Sequence, residues 1–277
     1  MEVPFTKMQG LGNDFVLFDG LRSPLCLTPE QVRRIADRRL GIGCDQVLLL
    51  EPSQGSKADA RYRIFNADGK EVEQCGNGSR CVARYLRDER LIETDEIVLE
   101  TLAGLIRMYC QNDGQVRVDM GAPRLAPQDI PMRVQELLHG TYGLEIDGAR
   151  VPVYPISMGN PHAVLCVEDI TAAPVASLGP LIERHRLFPE GVNAGFMQVV
   201  DAHHIRLRVY ERGVGETPAC GTGACAAVVA GRLQKLLDQD VEVELPGGRL
   251  FIQWGGGESS VWMTGPAIRV FAGRIAL

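Results

Sequence analysis

The chain has 277 residues, 45% hydrophobic and 23% charged, with a formal net charge of −6 and a pI near 5.5. This is the balance of a globular protein with one large domain or two of ordinary size. It argues against nucleic acid or an anionic membrane as a partner, and no apolar run is long enough to span a bilayer.

The first seven residues lack the basic-then-apolar pattern of an export signal. The eight cysteines are therefore expected in a reducing cytoplasm, where they serve as core residues, ligands or catalysts and not as disulfides. Phe15 to Phe18 reads as a strand. Thr28-Pro29-Glu30-Gln31 is a capping box with proline at the first helical position, and Val32, Ile35, Ala36 and Leu40 follow at helical spacing up to a stop at Gly41. Val47 to Leu50 and Tyr62 to Phe65 read as strands, with Asn66-Ala67-Asp68-Gly69 as turn chemistry. A helix is expected from Asn77 to about Arg90 on Val82, Tyr85 and Leu86. Ile97 to Leu99, Leu105 to Tyr109 and Val116 to Val118 then alternate as strands.

The second half repeats the plan. Strands are expected at Val153 to Ile156, Val164 to Val167, Phe196 to Val200, Ile205 to Tyr210, Val241 to Leu245, Leu250 to Trp254 and Val261 to Met263. Helices are expected at Leu178 to Leu187 and Gly223 to Leu236. The second of these is Ala/Val-rich almost all round, so it should be buried with strands wrapped about it.

The halves also match residue by residue. Gln74-Cys75-Gly76-Asn77-Gly78 corresponds to Ala219-Cys220-Gly221-Thr222-Gly223, and Gly12-Asn13-Asp14-Phe15 to Gly159-Asn160-Pro161-His162. Gly41-Ile42-Gly43 pairs with Gly191-Val192-Asn193, and Met120-Gly121 with Thr264-Gly265, in the same order at nearly constant offset. The reading is α+β: two homologous, pseudo-symmetric domains, each a strand-rich barrel around a central helix. The first is residues 1–121 plus 266–277 and the second 122–265, with the active site in the cleft between them.

Each central helix begins at a Cys-Gly-x-Gly turn. A thiol at a helix N-terminus is drawn toward thiolate by the positive end of the dipole. Bare backbone N–H groups of the glycine turn suit a carboxylate. Two such turns facing one substrate would set a sulfur on each face of its α-carbon, one to take a proton and the other to deliver one. That general acid–base chemistry inverts the centre and needs no cofactor. Of the other cysteines, Cys26, Cys44, Cys110 and Cys166 read as core, as do Cys81 and Cys225 within the helices. No Cys-x-x-Cys pair is present to hold zinc.

Gly10-Leu11-Gly12-Asn13-Asp14-Phe15, Phe65-Asn66-Ala67-Asp68-Gly69, Gln74-Cys75-Gly76-Asn77-Gly78, Gly159-Asn160-Pro161-His162 and Glu211-Arg212-Gly213 with Glu216-Thr217 and Ala219-Cys220-Gly221-Thr222-Gly223 together resemble the diaminopimelate epimerase family, in order and over the whole chain. The resemblance implies a pyridoxal-phosphate-independent isomerase that interconverts LL- and meso-2,6-diaminopimelate for lysine and peptidoglycan synthesis, usually as a homodimer, with the C-terminal tail returning to the first domain. It makes Cys75 the proton donor and Cys220 the base for the LL substrate, with the roles exchanged in reverse. Gly76, Asn77, Gly221 and Thr222 would bind the reacting carboxylate, and Arg212 the distal one through its planar fork. Asn13, Gln46, Asn66, Asn160 and Asn193 would serve the substrate's polar ends. Glu211 and His162 would lie near the reacting centre, assisting proton transfer or receiving the α-ammonium. Phe271 in the tail is a candidate dimer contact.

Two rival readings stand beside this one. A proline-racemase-like enzyme shares the two-cysteine logic, but its first cysteine is typically followed by Gly-His, where this chain has Gly76-Asn77. A thiol redox or binding protein would use Cys75 and Cys220 as a switch and would cycle a disulfide.

Overall fold

The structure is a computed structural model, describing residues 2–55, 57–72, 76–133 and 141–277. It divides into two compact units, Met1–Asp119 with Thr264–Leu277, and Met120–Met263. The first half of the chain runs β1 (Glu2–Gly10), β2 (Asn13–Asp19), α1 (Pro29–Ala36), β3 (Gln46–Glu51), β4 (Ala60–Asn66), β5 (Glu71–Val72) and α2 (Gly76–Asp88). It continues through β6 (Glu96–Thr101), β7 (Gly104–Cys110) and β8 (Gln115–Asp119). The second half runs β9 (Tyr142–Ile146), β10 (Ala149–Ser157), β11 (Pro161–Cys166), α3 (Val175–Glu183), β12 (Asn193–Asp201), β13 (His204–Glu211), β14 (Gly215–Thr217) and α4 (Gly221–Leu233). The chain closes with β15 (Asp240–Leu245), β16 (Gly248–Trp254), β17 (Val261–Pro266) and β18 (Ile268–Ala276).

The halves carry the same connectivity. A parallel pair forms across the first helix of each, β2 with β3 over α1 and β11 with β12 over α3. A second forms across the central helix, β4 with β6 over α2 and β13 with β15 over α4. Antiparallel hairpins fill the rest, and β18 lies antiparallel to β1 from Glu2↔Ala276 to Gln9↔Ile268.

This layering explains the apolar runs. Along β3, Val47 and Leu49 join Val32, Ile35 and Ala36 of α1 in one core, while the alternate Leu48 and Leu50 are fully buried on the opposite face. A strand covered on both faces reads as continuous hydrophobic sequence, and each fully buried side chain of this size contributes about 1.5–3 kcal/mol. The second unit has its counterpart in a core of Val175, Ile182, Ala194 and Phe196. The central helix α4 is buried from Gly223 through Gly231 and packs on β10, β11, β12, β13 and β16. Helix α2 is buried almost as completely, including the polar residues Asn77, Ser79 and Arg80.

The helix boundaries differ from the sequence reading for local reasons. The Thr28 capping box forms as expected, with Thr28 Oγ1 accepting from Gln31 N at 3.3 Å and Thr28 N donating to Gln31 Oε1 at 2.9 Å. Helix α1 nevertheless ends at Ala36, because the Asp37 carboxylate captures the N–H groups of Arg39 and Leu40 at 2.7 and 2.8 Å. Leu40, placed on the helix by periodicity, is 84% exposed. Helix α3 lies three to four residues earlier than expected. Helix α4 starts at Gly221 and stops at Leu233 because Lys235 takes a left-handed conformation at φ +61°, closed by Leu236 N to Gly231 O at 2.9 Å. Arg90 after α2 does the same at φ +54°, with Leu91 N to Leu86 O at 2.9 Å.

Candidate active site

In the second unit, Cys220 is the N-cap of α4, extended at φ −119° and ψ 108°. Its thiol is buried and donates to Glu211 Oε2 at 3.2 Å, with Thr222 Oγ1 at 3.6 Å. Gly223 permits this. A Cβ there would meet Cys220 Sγ at 3.2 Å and Val209 Cγ2 at 3.0 Å. Glu211 ends β13, and Thr217, on the returning strand of the β13–β14 hairpin, donates its hydroxyl to the other carboxylate oxygen. The Gly213 N–H at the hairpin tip donates to the buried Glu183 Oε1 at 2.8 Å, so α3 holds the turn that carries Glu211.

The electrostatics correct one expectation. The helix N-terminus was expected to lower the thiol's pKa. Burial, followed by the charge of Glu211, instead pushes Cys220 well above its ordinary value, against the pull of Thr222 and the Gly223 N–H. Burial also raises Glu211, partly offset by hydrogen bonds from Thr217 and Cys220. The two groups share one proton economy: moving the thiol proton to Glu211 removes the carboxylate charge that disfavours the thiolate.

His162 is fully buried in β11, with Nε2 3.1 Å from Asn160 Oδ1. Burial, with Arg212 as the lesser cause, pushes its pKa down to about 3. The ring is therefore neutral. Because Asn160 Oδ1 only accepts, Nε2 carries the hydrogen and Nδ1 presents a bare lone pair, buried with no partner among the described residues. Between about pH 6.5 and 3 the unfolded chain binds a proton here that the folded chain refuses, so stability rises with pH at up to about 1.4 kcal/mol per unit. Urea midpoints measured near pH 7 and pH 4.5 should differ less in His162→Gln than in the wild type.

Asn193 is 3% exposed. It donates to Pro161 O at 3.0 Å and accepts from Arg212 N at 2.9 Å, so it ties the start of β11 to the end of β13. The Arg212 side chain is exposed and donates to Glu190 O at 2.9 Å. Gly221 and Thr222 form the first turn of α4.

In the first unit, Cys75 lies outside the described residues. The turn after it is described: Gly76 and Asn77 open α2. Asn77 Nδ2 donates to Asn13 Oδ1 at 3.3 Å. Gln46 and Asn66 are cross-strand partners joined from Nε2 to Oδ1 at 2.8 Å, with Gln46 Oε1 buried and without a partner among the described residues.

The remaining cysteines divide. Cys44, Cys81 and Cys225 are buried and Cys110 is half-buried, but Cys26 and Cys166 are exposed and not core as the sequence indicated. Cys26 precedes α1 in an irregular segment and Cys166 is the last residue of β11, both beyond the packed faces. Thr217 stands in the sequence motif without a role assigned to it, and Glu183, Asp45 and Arg80 carry no site reading from sequence. Among the described residues no group of three or more His, Cys, Asp and Glu could hold a metal ion.

Solved structures define the class to which this fold belongs. A probable proline racemase from Agrobacterium radiobacter superposes with a TM-score of 0.71 at 20% identity, covering 99% of this chain and 93% of the other. A PhzF-family phenazine biosynthesis protein from Bacillus anthracis gives 0.70 at 18% identity, covering both chains completely. The closer relationship is in sequence. The diaminopimelate epimerase family profile matches residues 5–126 and 154–270. Diaminopimelate epimerases from Thioalkalivibrio sulfidiphilus and Nitrosospira multiformis are 60% and 55% identical over 277 residues, covering 99% and 100% of this chain and 99% of each relative. The chain belongs to the diaminopimelate epimerase family.

Proposed function

We propose that this chain interconverts LL-2,6-diaminopimelate and meso-2,6-diaminopimelate, in the cytoplasm, as a step toward lysine and peptidoglycan precursors. The observation that carries the chemistry is the buried Cys220–Glu211 pair at the head of α4, a thiol in hydrogen-bond contact with a carboxylate of raised pKa. Glu211 takes the thiol proton as substrate binds, and the N-terminal turn of α4 with Thr222 stabilises the sulfur charge. Cys220 then removes the α-proton of the LL substrate while Cys75 delivers a proton to the opposite face. In the reverse direction the roles exchange, and no cofactor takes part.

The N–H groups of Gly76, Asn77, Gly221 and Thr222 hold the reacting carboxylate, and Arg212 the distal one. Asn13, Gln46, Asn66, Asn160 and Asn193 line the substrate's polar ends. The bare Nδ1 of His162 is suited to accept from an ammonium, since a neutral imidazole offers a lone pair where a charged one would repel. Conversion of LL-diaminopimelate to the meso form by the reduced protein, with no turnover of proline, tests this reading. Proline racemisation in its place would sink it.

We also place a homodimer contact on β18, where Ile268, Val270 and Phe271 are about half exposed. A sedimenting mass near twice 30.3 kDa is the expected result, and a monomer at working concentration would refute it.

A further inference from the structure

Fully buried at the second turn of α2, Arg80 has 0% exposure. Its Nη2 donates to Asn77 Oδ1 at 2.8 Å and its Nε to Pro266 O at 3.2 Å. Asn77 Nδ2 donates onward to Asn13 Oδ1 at 3.3 Å, and Asn13 Nδ2 donates to Asp45 Oδ2 at 2.9 Å. Asp45 is locked in turn: its Oδ2 accepts the Asp14 N–H at 3.1 Å, its own N–H donates to Asp14 Oδ1 at 2.9 Å, and Arg38 Nη2 reaches its Oδ1 at 2.9 Å.

The row has a direction. A guanidinium can only donate and a carboxylate can only accept. Arg80 at one end forces the Asn77 carbonyl toward itself, which turns the Asn77 amide nitrogen toward Asn13. Asp45 at the other end forces the Asn13 nitrogen toward itself, which turns the Asn13 carbonyl back toward Asn77. A carboxamide's two ends are nearly identical in shape and opposite in hydrogen-bond sign, so a flip costs little sterically and reverses what a ligand meets. The two ends of the row leave one polarity for both amides.

We propose that Arg80, acting through the Asn77 carboxamide, and Asp45, supported by Arg38, are positioning residues that fix the donor and acceptor ends of Asn13 for the charged groups of the substrate. This rests on the reading of Asn13 as a substrate-binding group. Replacing Asp45 by an amide lets Asn13 reverse, because an amide can donate as well as accept. The shape of the site stays the same and its sign pattern is lost.

The test is a double-mutant cycle on epimerisation kinetics with LL-diaminopimelate. Asp45→Asn is expected to raise KM about tenfold, the scale of a misoriented hydrogen bond to a charged group, with a smaller change in kcat and an unchanged circular dichroism spectrum. In an Asn13→Ala background the same substitution should leave KM where Asn13→Ala alone set it. Arg38→Gln, at an exposed side chain, is the milder variant should Asp45→Asn fold poorly, with a smaller KM rise that Asn13→Ala likewise abolishes. If Asn13→Ala raises KM but Asp45→Asn and Arg38→Gln do not, or if their effects add in the Asn13→Ala background, the relay is refuted while Asn13 remains a substrate group. If Asn13→Ala leaves KM unchanged, the substrate reading of Asn13 fails first and the relay with it.

Discussion

Cys220→Ala is expected to lower the rate of α-carbon inversion by roughly 10³- to 10⁴-fold, the upper part of the range for loss of a general acid or base. The residue sits at the N-cap of a helix with its thiol against a carboxylate, the position the proposed reaction asks of its base. It is also one methyl-sized group from alanine, so the fold should survive. Cys225→Ala, one turn further along the same helix and fully buried, is the matched control. It should cost roughly 1 kcal/mol of stability and leave turnover largely intact. Stopped-assay kinetics and thermal melts on the two variants separate the roles. Equal loss of activity in both would mean that packing of α4 matters and the thiol does not.

Glu211→Gln should lower kcat by about 10²-fold and change the pH profile, with shape nearly preserved. Glu211 must be ionised to accept the thiol proton. Burial raises its pKa above the ordinary 4.5, so kcat/KM should climb with pH along a limb that lies above the usual carboxylate range. The glutamine cannot titrate, and that limb should vanish. An acidic limb that persists unchanged in Glu211→Gln would show that another group titrates there and that the carboxylate is not the partner of Cys220.

Much of the fold was legible because apolar runs and helix caps write themselves into sequence. Val47-Leu48-Leu49-Leu50 reads as a strand, which the structure buries on both faces, and the Ala/Val-rich segment after Gly223 reads as a buried helix. Strand β1 did not read so, because it contains Pro4 and Lys7, and Lys7 is buried by pairing with Asp14 at 2.6 Å and donating to Gly43 O. Strand β18, with Arg269, Ala272 and Arg274 among exposed positions, carries no alternation that marks a strand; its order comes from β1. Lys235 and Arg90 end their helices in a conformation that sequence rules assign to glycine.

The site divides in the same way. Cys220 and Glu211 were visible from a repeated motif and a family pattern, but their mutual effect was not. Dipole reasoning from sequence puts the thiol at a low pKa, whereas burial beside a carboxylate drives it upward. The folded surroundings of the thiol decide which effect is larger. Thr217, Glu183, Arg80 and Asp45 each act by holding another side chain or a turn. A polar residue with that duty looks in sequence like any solvated one, since its partner lies on a different element.

The most direct test of the two-thiol reaction follows the first fraction of turnover of LL-diaminopimelate in heavy water. With separate acid and base, the thiol that delivers a proton carries solvent deuterium, while the thiol that removes one can return only the substrate's own hydrogen. The meso product should contain one deuterium at the inverted carbon from the outset, with recovered LL substrate still unlabelled. Deuterium appearing in recovered substrate as fast as in product would mean that a single group serves both faces, and the assignment of opposed roles to Cys75 and Cys220 would be wrong.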